Sequence, residues 1–320
     1  MDNGRQAADF LHRPDVRELA PDLYLIEGKN KARFPYCNAF LITGSENVLI
    51  DTGVGVVRLR ELDASLRIDK VIISHPHPDH IAGYKVLKDR TILLPAETPD
   101  SVKDLVELGT RFMGTRENGL VWADFAKNSL GLEPLRDPDG RFGDGDVLDF
   151  GSVRLEAIRA PGHLPDHYCF FDHCSKTLLT TDIDFTSFGP WYGNPECEIA
   201  AFQDSIRKIM EWPYLRVCSS HKPSIEGDAT EEFITFLNMF KRQRRQILHL
   251  CDPPSTLEQM VRVSPFYGNK LNDKRIQVIF EKNMIVKNLE ILMQDGRVEE
   301  KNGIYRKIET TKEAHENHRH

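Results

Sequence analysis

Residues 75 to 80 read His-Pro-His-Pro-Asp-His and follow the apolar run Val71-Ile72-Ile73 after Ser74. Three imidazoles and a carboxylate in six residues are costly to bury together unless a cation holds them. Neutral imidazole and carboxylate are donors for zinc, iron and similar metals. Pro76 and Pro78 disfavour a helix here. On an extended segment residues two apart project the same way. His75 and His77 can therefore reach one metal from a strand exit, while Asp79 and His80 turn toward a second. A fold that uses this segment must bring further ligands from distant positions. A solvated His-rich loop is the competing reading, and the compactness of the motif weighs against it.

The rest of the chain narrows the chemistry. No G-x-S-x-G is present, and Cys37, Cys169, Cys174, Cys197, Cys218 and Cys251 form no C-x-x-C. A glycine-rich nucleotide loop is also lacking. No stretch approaches the ~20 apolar residues that cross a bilayer, and Met1 to Gln6 lacks the apolar core of a secretory signal. Six scattered cysteines suit a reducing compartment, so a cytoplasmic protein without a membrane partner is expected. With 320 residues and 40% hydrophobic composition, one larger domain plus a small appendage is expected.

Further motifs follow in order. They are Leu49-Ile50-Asp51-Thr52-Gly53, Ala160-Pro161-Gly162-His163, Leu178-Leu179-Thr180-Thr181-Asp182 and Val217-Cys218-Ser219-Ser220-His221. Together with the histidine-rich segment, they resemble the metallo-β-lactamase (MBL) superfamily over roughly residues 20 to 225. The resemblance implies a four-layer αββα sandwich of α/β class and two divalent metal ions. His75, His77 and His163 would hold the first, and Asp79, His80 and His221 the second, with Asp182 bridging. Zinc is the expected metal, with iron or manganese as alternatives. Asp184 competes with Asp182, which is preferred because it ends the apolar strand directly. Asp51 is expected to orient a ligand histidine through its ring N–H. Lys222-Pro223 stands where the family often has glycine after its last histidine.

Alternating elements fit this class. Strands are predicted at 23–26, 38–42, 47–50, 71–74, 91–95, 146–150, 153–158, 168–171 and 178–181. Helices are predicted at 56–66, from 81 onward and at 200–211. Residues 98–135 form a helical insertion, serving as lid, dimer surface or satellite core. The aromatic loop after Asp182 is expected to supply Phe185, Phe188, Trp191 and Tyr192 to a substrate pocket. His167 is a further candidate for substrate contact, with a supporting role as its alternative.

The domain reading is catalytic at 1–228 and helical at 229–310, with a disordered tail at 311–320. In the second part helices are predicted at 230–249, 274–282 and 286–294. Ser255 and Glu258 suggest a capping box, and a hairpin is predicted around Asn302-Gly303. Helices closing on a hairpin resemble a winged-helix-like appendage, as in lactamase-like endoribonucleases and other hydrolases of the superfamily. Residues 241–320 carry 16 Lys and Arg against 11 Asp and Glu, whereas the first 240 carry 26 against 38. That basic balance keeps nucleic acid as a disfavoured partner, because five residues of one helix (241–245) cannot share a face.

The resemblance implies hydrolysis by a hydroxide shared between two metals, with Asp79 orienting it or accepting its proton. A small ester, thioester or lactone leads as substrate, glyoxalase II-like thioesterases being one relative. Single-strand endoribonuclease activity is the alternative. An iron-dependent persulfide dioxygenase, with one metal at the first site, is the reading from another class.

Overall fold

The computed structural model describes residues 3–309; the expectation for 311–320 lies outside them. After helix α1 (Asn3–Leu11), a seven-stranded sheet runs in chain order. Its strands are β1 (Val16–Ala20), β2 (Leu23–Ile26), β3 (Ala39–Ile42), β4 (Val48–Ile50), β5 (Lys70–Ile72), β6 (Thr91–Pro95) and β7 (Gly140–Phe142). Pairing is antiparallel from β1 to β4 and parallel from β4 to β7. Helix α2 (Val56–Leu66) makes the crossover from β4 to β5. The helix expected from 81 onward instead ends there: the one-turn helix α3 (Pro78–Ile81) follows β5, and Pro78 suits its first turn because it lacks an N–H there. The insertion is helical as expected, with α4 (Leu105–Met113) and α5 (Arg116–Asn128). Asp104 caps α4 and Thr115 caps α5.

The second sheet contains β8 (Val147–Asp149), β9 (Arg154–Arg159), β10 (Tyr168–Asp172), β11 (Thr177–Thr181), β12 (Arg216–Ser219) and β13 (Ile225–Glu226). Its order is β13-β12-β11-β10-β9-β8, antiparallel except between β11 and β12. Helix α6 (Ile199–Met210) connects β11 to β12.

Strand alternation builds the four layers. Phe40, Ile42, Val48, Ile50 and Ile72 meet Leu155, Ala157, Phe170 and Leu179 between the sheets. Their strand neighbours Ala39, Leu41, Leu49 and Val71 face the other way, against Leu59, Leu62, Phe112 and Trp122. On the far side Ile158, Cys169, Phe171 and Leu178 pack on Phe202, Ile206 and Phe236. Strands covered on both faces lose the polar alternation, and every residue of β3, β10 and β11 is buried.

Beyond α7 (Thr230–Leu250) come β14 (Ser255–Thr256), α8 (Leu257–Val263), α9 (Lys274–Gln294), β15 (Val298–Lys301) and β16 (Ile304–Lys307). The three strands form a sheet in the order β14-β16-β15. Two sequence expectations change. The capping box lies one residue later, on Thr256 and Gln259, because Ser255 pairs with Tyr305 in the sheet. The two helices expected at 274–282 and 286–294 are one. Ile276 packs with the insertion layer, Met284 with the second helical layer, and Ile285 and Leu289 with the C-terminal core. A helix buried on several sides has no single apolar stripe, so its continuity is hidden from periodicity.

Candidate metal centre

The site forms where β4, β5 and β11 end. Asp51 lies just beyond β4 in the left-handed region, at φ 63°. Aspartate is one of the few residues with a side chain that adopts this conformation readily. The conformation lets both carboxylate oxygens face Ser74 and His80. Oδ1 accepts from Ser74 N at 2.9 Å, and Oδ2 accepts from Ser74 Oγ and His80 Nδ1, both at 2.7 Å. Gly53 is required in the same turn, since a Cβ there would strike the backbone oxygen of Asp79.

Two groups of donor atoms result: His75, His77, His163 and Asp182, then Asp79, His80 and His221. The Nδ1 of His77 lies 3.0 Å from Nε2 of His75 and 2.8 Å from Nε2 of His163. Asp182 stands between the groups. Its Oδ2 is 3.2 Å from His163 Nε2 and 3.6 Å from His75 Nε2. Its Oδ1 is 3.0 Å from His80 Nε2 and 3.5 Å from His221 Nε2. Asp79 Oδ2 is 3.4 Å from His221 Nε2. The competitor Asp184 turns its Oδ1 to Thr186 N and Oγ1 instead.

The donor set fits divalent metal. His80 Nε2 and Asp182 Oδ1 are buried, face one another and have no hydrogen-bond partner. Buried polar atoms rarely go unmatched, and a shared cation would satisfy both. Burial, with neighbouring imidazoles, holds His75 and His77 well below the usual histidine range, so their nitrogens offer lone pairs. Burial also opposes charge on His80 and His221, but the facing carboxylates outweigh it and push both well above that range. Burial would raise Asp182, yet the surrounding histidines hold it well below the ordinary carboxylate.

The ring nitrogens that face away from the two donor groups have partners. His163 Nδ1–H donates to Trp191 O at 3.0 Å, and His221 Nδ1–H donates to Ala32 O at 2.6 Å. Ser74 Oγ lies 3.1 Å from His75 Nδ1. Asn194 Nδ2 lies 2.9 Å from His77 Nε2. Neither Ala32 nor Asn194 is marked by any sequence motif, because each acts from a loop whose path only the fold defines.

A model of the metallo-beta-lactamase superfamily matches residues 32–238. The chain belongs to this superfamily. A metallo-beta-lactamase family protein from Thermus thermophilus has the same fold, with TM-score 0.70 and 20% identity, over 91% of this chain and 100% of that one. An atrochrysone carboxyl ACP thioesterase from Passalora fulva is 24% identical over 92% of this chain and 82% of its own length. A lactamase-like protein ptaB from Pestalotiopsis fici is 27% identical over 52% of this chain, which spans 46% of that relative.

Within this MBL frame the expected substrate contacts divide. Trp191 edges onto His77 and His163, with ring centroids 5.2 and 5.8 Å away, and Phe112 of the insertion lies 5.3 Å from His77. Phe185 packs on Phe233 and Phe188 on Tyr267, so both lean on the C-terminal helices and their loop. Tyr192 is fully buried. Its ring stacks on Phe240, and its hydroxyl donates to Gln243 and accepts from Asn288. It packs as a core residue, its hydroxyl held between Gln243 of α7 and Asn288 of α9. His167 is also fully buried. Its Nδ1–H donates to Ala160 O, while Nε2 accepts from Thr181 Oγ1 at 2.7 Å and Asp182 N at 3.3 Å. Burial pushes it down to about 3, so it stays neutral. It holds the backbone of Asp182 and has no open face for substrate.

Proposed function

We propose that the chain is a dinuclear metal-dependent hydrolase acting on a small acyl thioester, with esters and lactones as the neighbouring class. The observation that carries this reading is Asp182, whose two oxygens each face a different donor group. The assignment follows the two groups: His75, His77 and His163 at the first ion, Asp79, His80 and His221 at the second, and Asp182 between them. Zinc is the preferred metal. Thioester chemistry is supported by the thioesterase-named relatives.

Divalent cations at such sites polarise a carbonyl and bring the pKa of water from ~15.7 toward ~7. The chain supplies the rest. Asp79 carries the carboxylate that takes the proton of the attacking water as the new C–O bond forms. The C–S bond then breaks and the proton held by Asp79 passes to the departing sulfur, releasing a carboxylic acid and a thiol. Trp191 and Phe112 wall the first group and exclude solvent, with Phe188 and Phe185 farther along the same loop. Residues 1–228 form the catalytic unit in this reading, and the described residues of 229–310 a winged-helix-like unit that buttresses it.

A second reading, cleavage of single-stranded RNA, draws on α7. Lys241, Arg242 and Arg245 are exposed there, and no ion pair to them is found among the described residues. One experiment separates the readings: elemental analysis of protein purified without added metal, with a thioester, lactone and RNA panel. Two divalent ions per chain and thioester turnover are expected. RNA cleavage alone would select the second reading. A single iron with oxygen consumption would select the dioxygenase, and neither metal nor turnover would overturn the proposal.

A further inference from the structure

We infer that Asn194 is a positioning residue of the first metal group, accepting the Nε2–H of His77 through its amide oxygen, and that α9 holds it in place. The inference rests on the metal-centre reading above. His77 directs Nδ1 toward Nε2 of His75 and of His163. A neutral imidazole that offers Nδ1 to a cation carries its hydrogen on Nε2. That nitrogen faces the Asn194 amide at 2.9 Å, and Asn194 is only 1% exposed.

With Nδ2 toward the ring, two donors would meet, and Oδ1 of Asn194 is left buried without a partner. The two ends of a carboxamide are alike in size, and their hydrogen-bond partners decide which way it turns. Turning it about the Cβ–Cγ bond places Oδ1 on the Nε2–H. One change then gives Oδ1 a partner, removes the donor clash and fixes the His77 tautomer, while Nδ2 takes the place that Oδ1 held. Metal-bound histidines characteristically have such an acceptor on their second nitrogen.

The same short segment serves His163, since Trp191 O accepts its Nδ1–H. Trp191 and Asn194, three positions apart, therefore orient two histidines of one group. Helix α9 fixes this segment from behind. Asn283 Nδ2 donates to Gly193 O at 2.7 Å, Lys287 Nζ donates to Pro195 O at 2.8 Å, and Phe280 edges onto the Trp191 ring at 5.1 Å. Gly193 is needed because a Cβ would meet the Trp191 ring at 2.6 Å. The C-terminal unit is thus part of the support of the metal centre.

The test pairs Asn194→Leu, which removes the acceptor at similar volume, with Asn194→Asp, which keeps one. Affinity for zinc is read by competition with a chromophoric chelator, alongside melting of the chelator-stripped proteins. Asn194→Leu is expected to lose about tenfold to a hundredfold affinity for one of the two ions, and Asn194→Asp to retain it. Asn283→Ala, one hydrogen bond farther out, shows a smaller loss in the same direction and serves if Asn194→Leu does not fold. Wild-type affinity in Asn194→Leu, or an equal loss in Asn194→Asp, overturns the inference. A purely structural role would lower the melting point of the stripped variants and leave zinc affinity unchanged. If wild-type protein binds no divalent ion, the metal reading fails as well, which is a different result from a zinc-loaded wild type with an indifferent Asn194→Leu.

Discussion

The carboxylate of Asp51 holds the ring of His80 by a 2.7 Å hydrogen bond to Nδ1, and both residues are fully buried. The bond aims Nε2 of His80 at Asp182. Asp51→Asn tests this pair cleanly, because asparagine tolerates the left-handed backbone at this position. Its NH2 would face His80 Nδ1–H and Ser74 Oγ, or its oxygen would lose one of them. A tenfold to hundredfold loss of metal affinity is expected, of the order seen when such supports are removed. Chelator competition measures it, with melting of the stripped protein as the folding control.

Asp182 touches both donor groups, whereas His221 touches one. Elemental analysis should therefore find that His221→Ala weakens one ion selectively, while Asp182→Ala depletes both. Chelation of the wild type should lower its melting temperature, since seven donor groups are then left together without a cation. Re-addition of zinc or manganese should restore it. Equal occupancy in the two variants would contradict the proposed role of Asp182 as a bridge between two ions.

The convergence of these side chains was partly legible in the sequence, because Asp51, Asp182 and His221 come at or just after the ends of buried strands, and such strands declare themselves by composition. The run from Leu178 to Thr181 is β11, and Asp182 emerges from its end. Val56–Leu66 and Thr91–Pro95 have the expected bounds. What stayed hidden depends on packing between distant segments. Asn194 lies in a loop with no periodicity, and its partner is 117 residues away. The carbonyl of Ala32 reaches His221 from a turn in which Asn30, Lys31 and Ala32 all have positive φ. No side-chain pattern encodes that turn. Tyr192 resembled a pocket residue because it adjoins Trp191, and only the buried Gln243 and Asn288 reveal why it points inward.

Trp191 and Tyr192 should consequently respond in opposite ways. Tyr192→Phe leaves buried Gln243 and Asn288 without their shared hydroxyl. It should cost about 1–3 kcal/mol of stability, the penalty for unmatched buried polar groups, with turnover per folded molecule unchanged. Trp191→Ala should lower turnover instead, because its ring covers His77 and His163. Urea denaturation and steady-state kinetics on both variants separate the effects.

The insertion is joined to the centre by a buried ion pair. Arg111 on α4 meets Asp166 at 2.5 Å through one guanidinium nitrogen and at 3.2 Å through another, and its Nε lies 2.6 Å from Glu196. Asp166 is fully buried and immediately precedes His167, the residue that holds the backbone of Asp182. Burial opposes the charge on Arg111, but the two carboxylates outweigh it and push its pKa up. Removing one partner of such a pair strands the other charge in the interior. Arg111→Ala should therefore cost about 3–5 kcal/mol, while the double variant with Asp166→Ala should cost less than the sum of the two single changes. Arg111→Lys should rescue only part of the loss, since an ammonium cannot reproduce the two-pronged contact. Chemical denaturation of the four proteins gives the coupling. Additive losses would mean that α4 is held by its apolar face alone and that the ion pair contributes nothing to fixing the Asp166–His167 segment beneath Asp182.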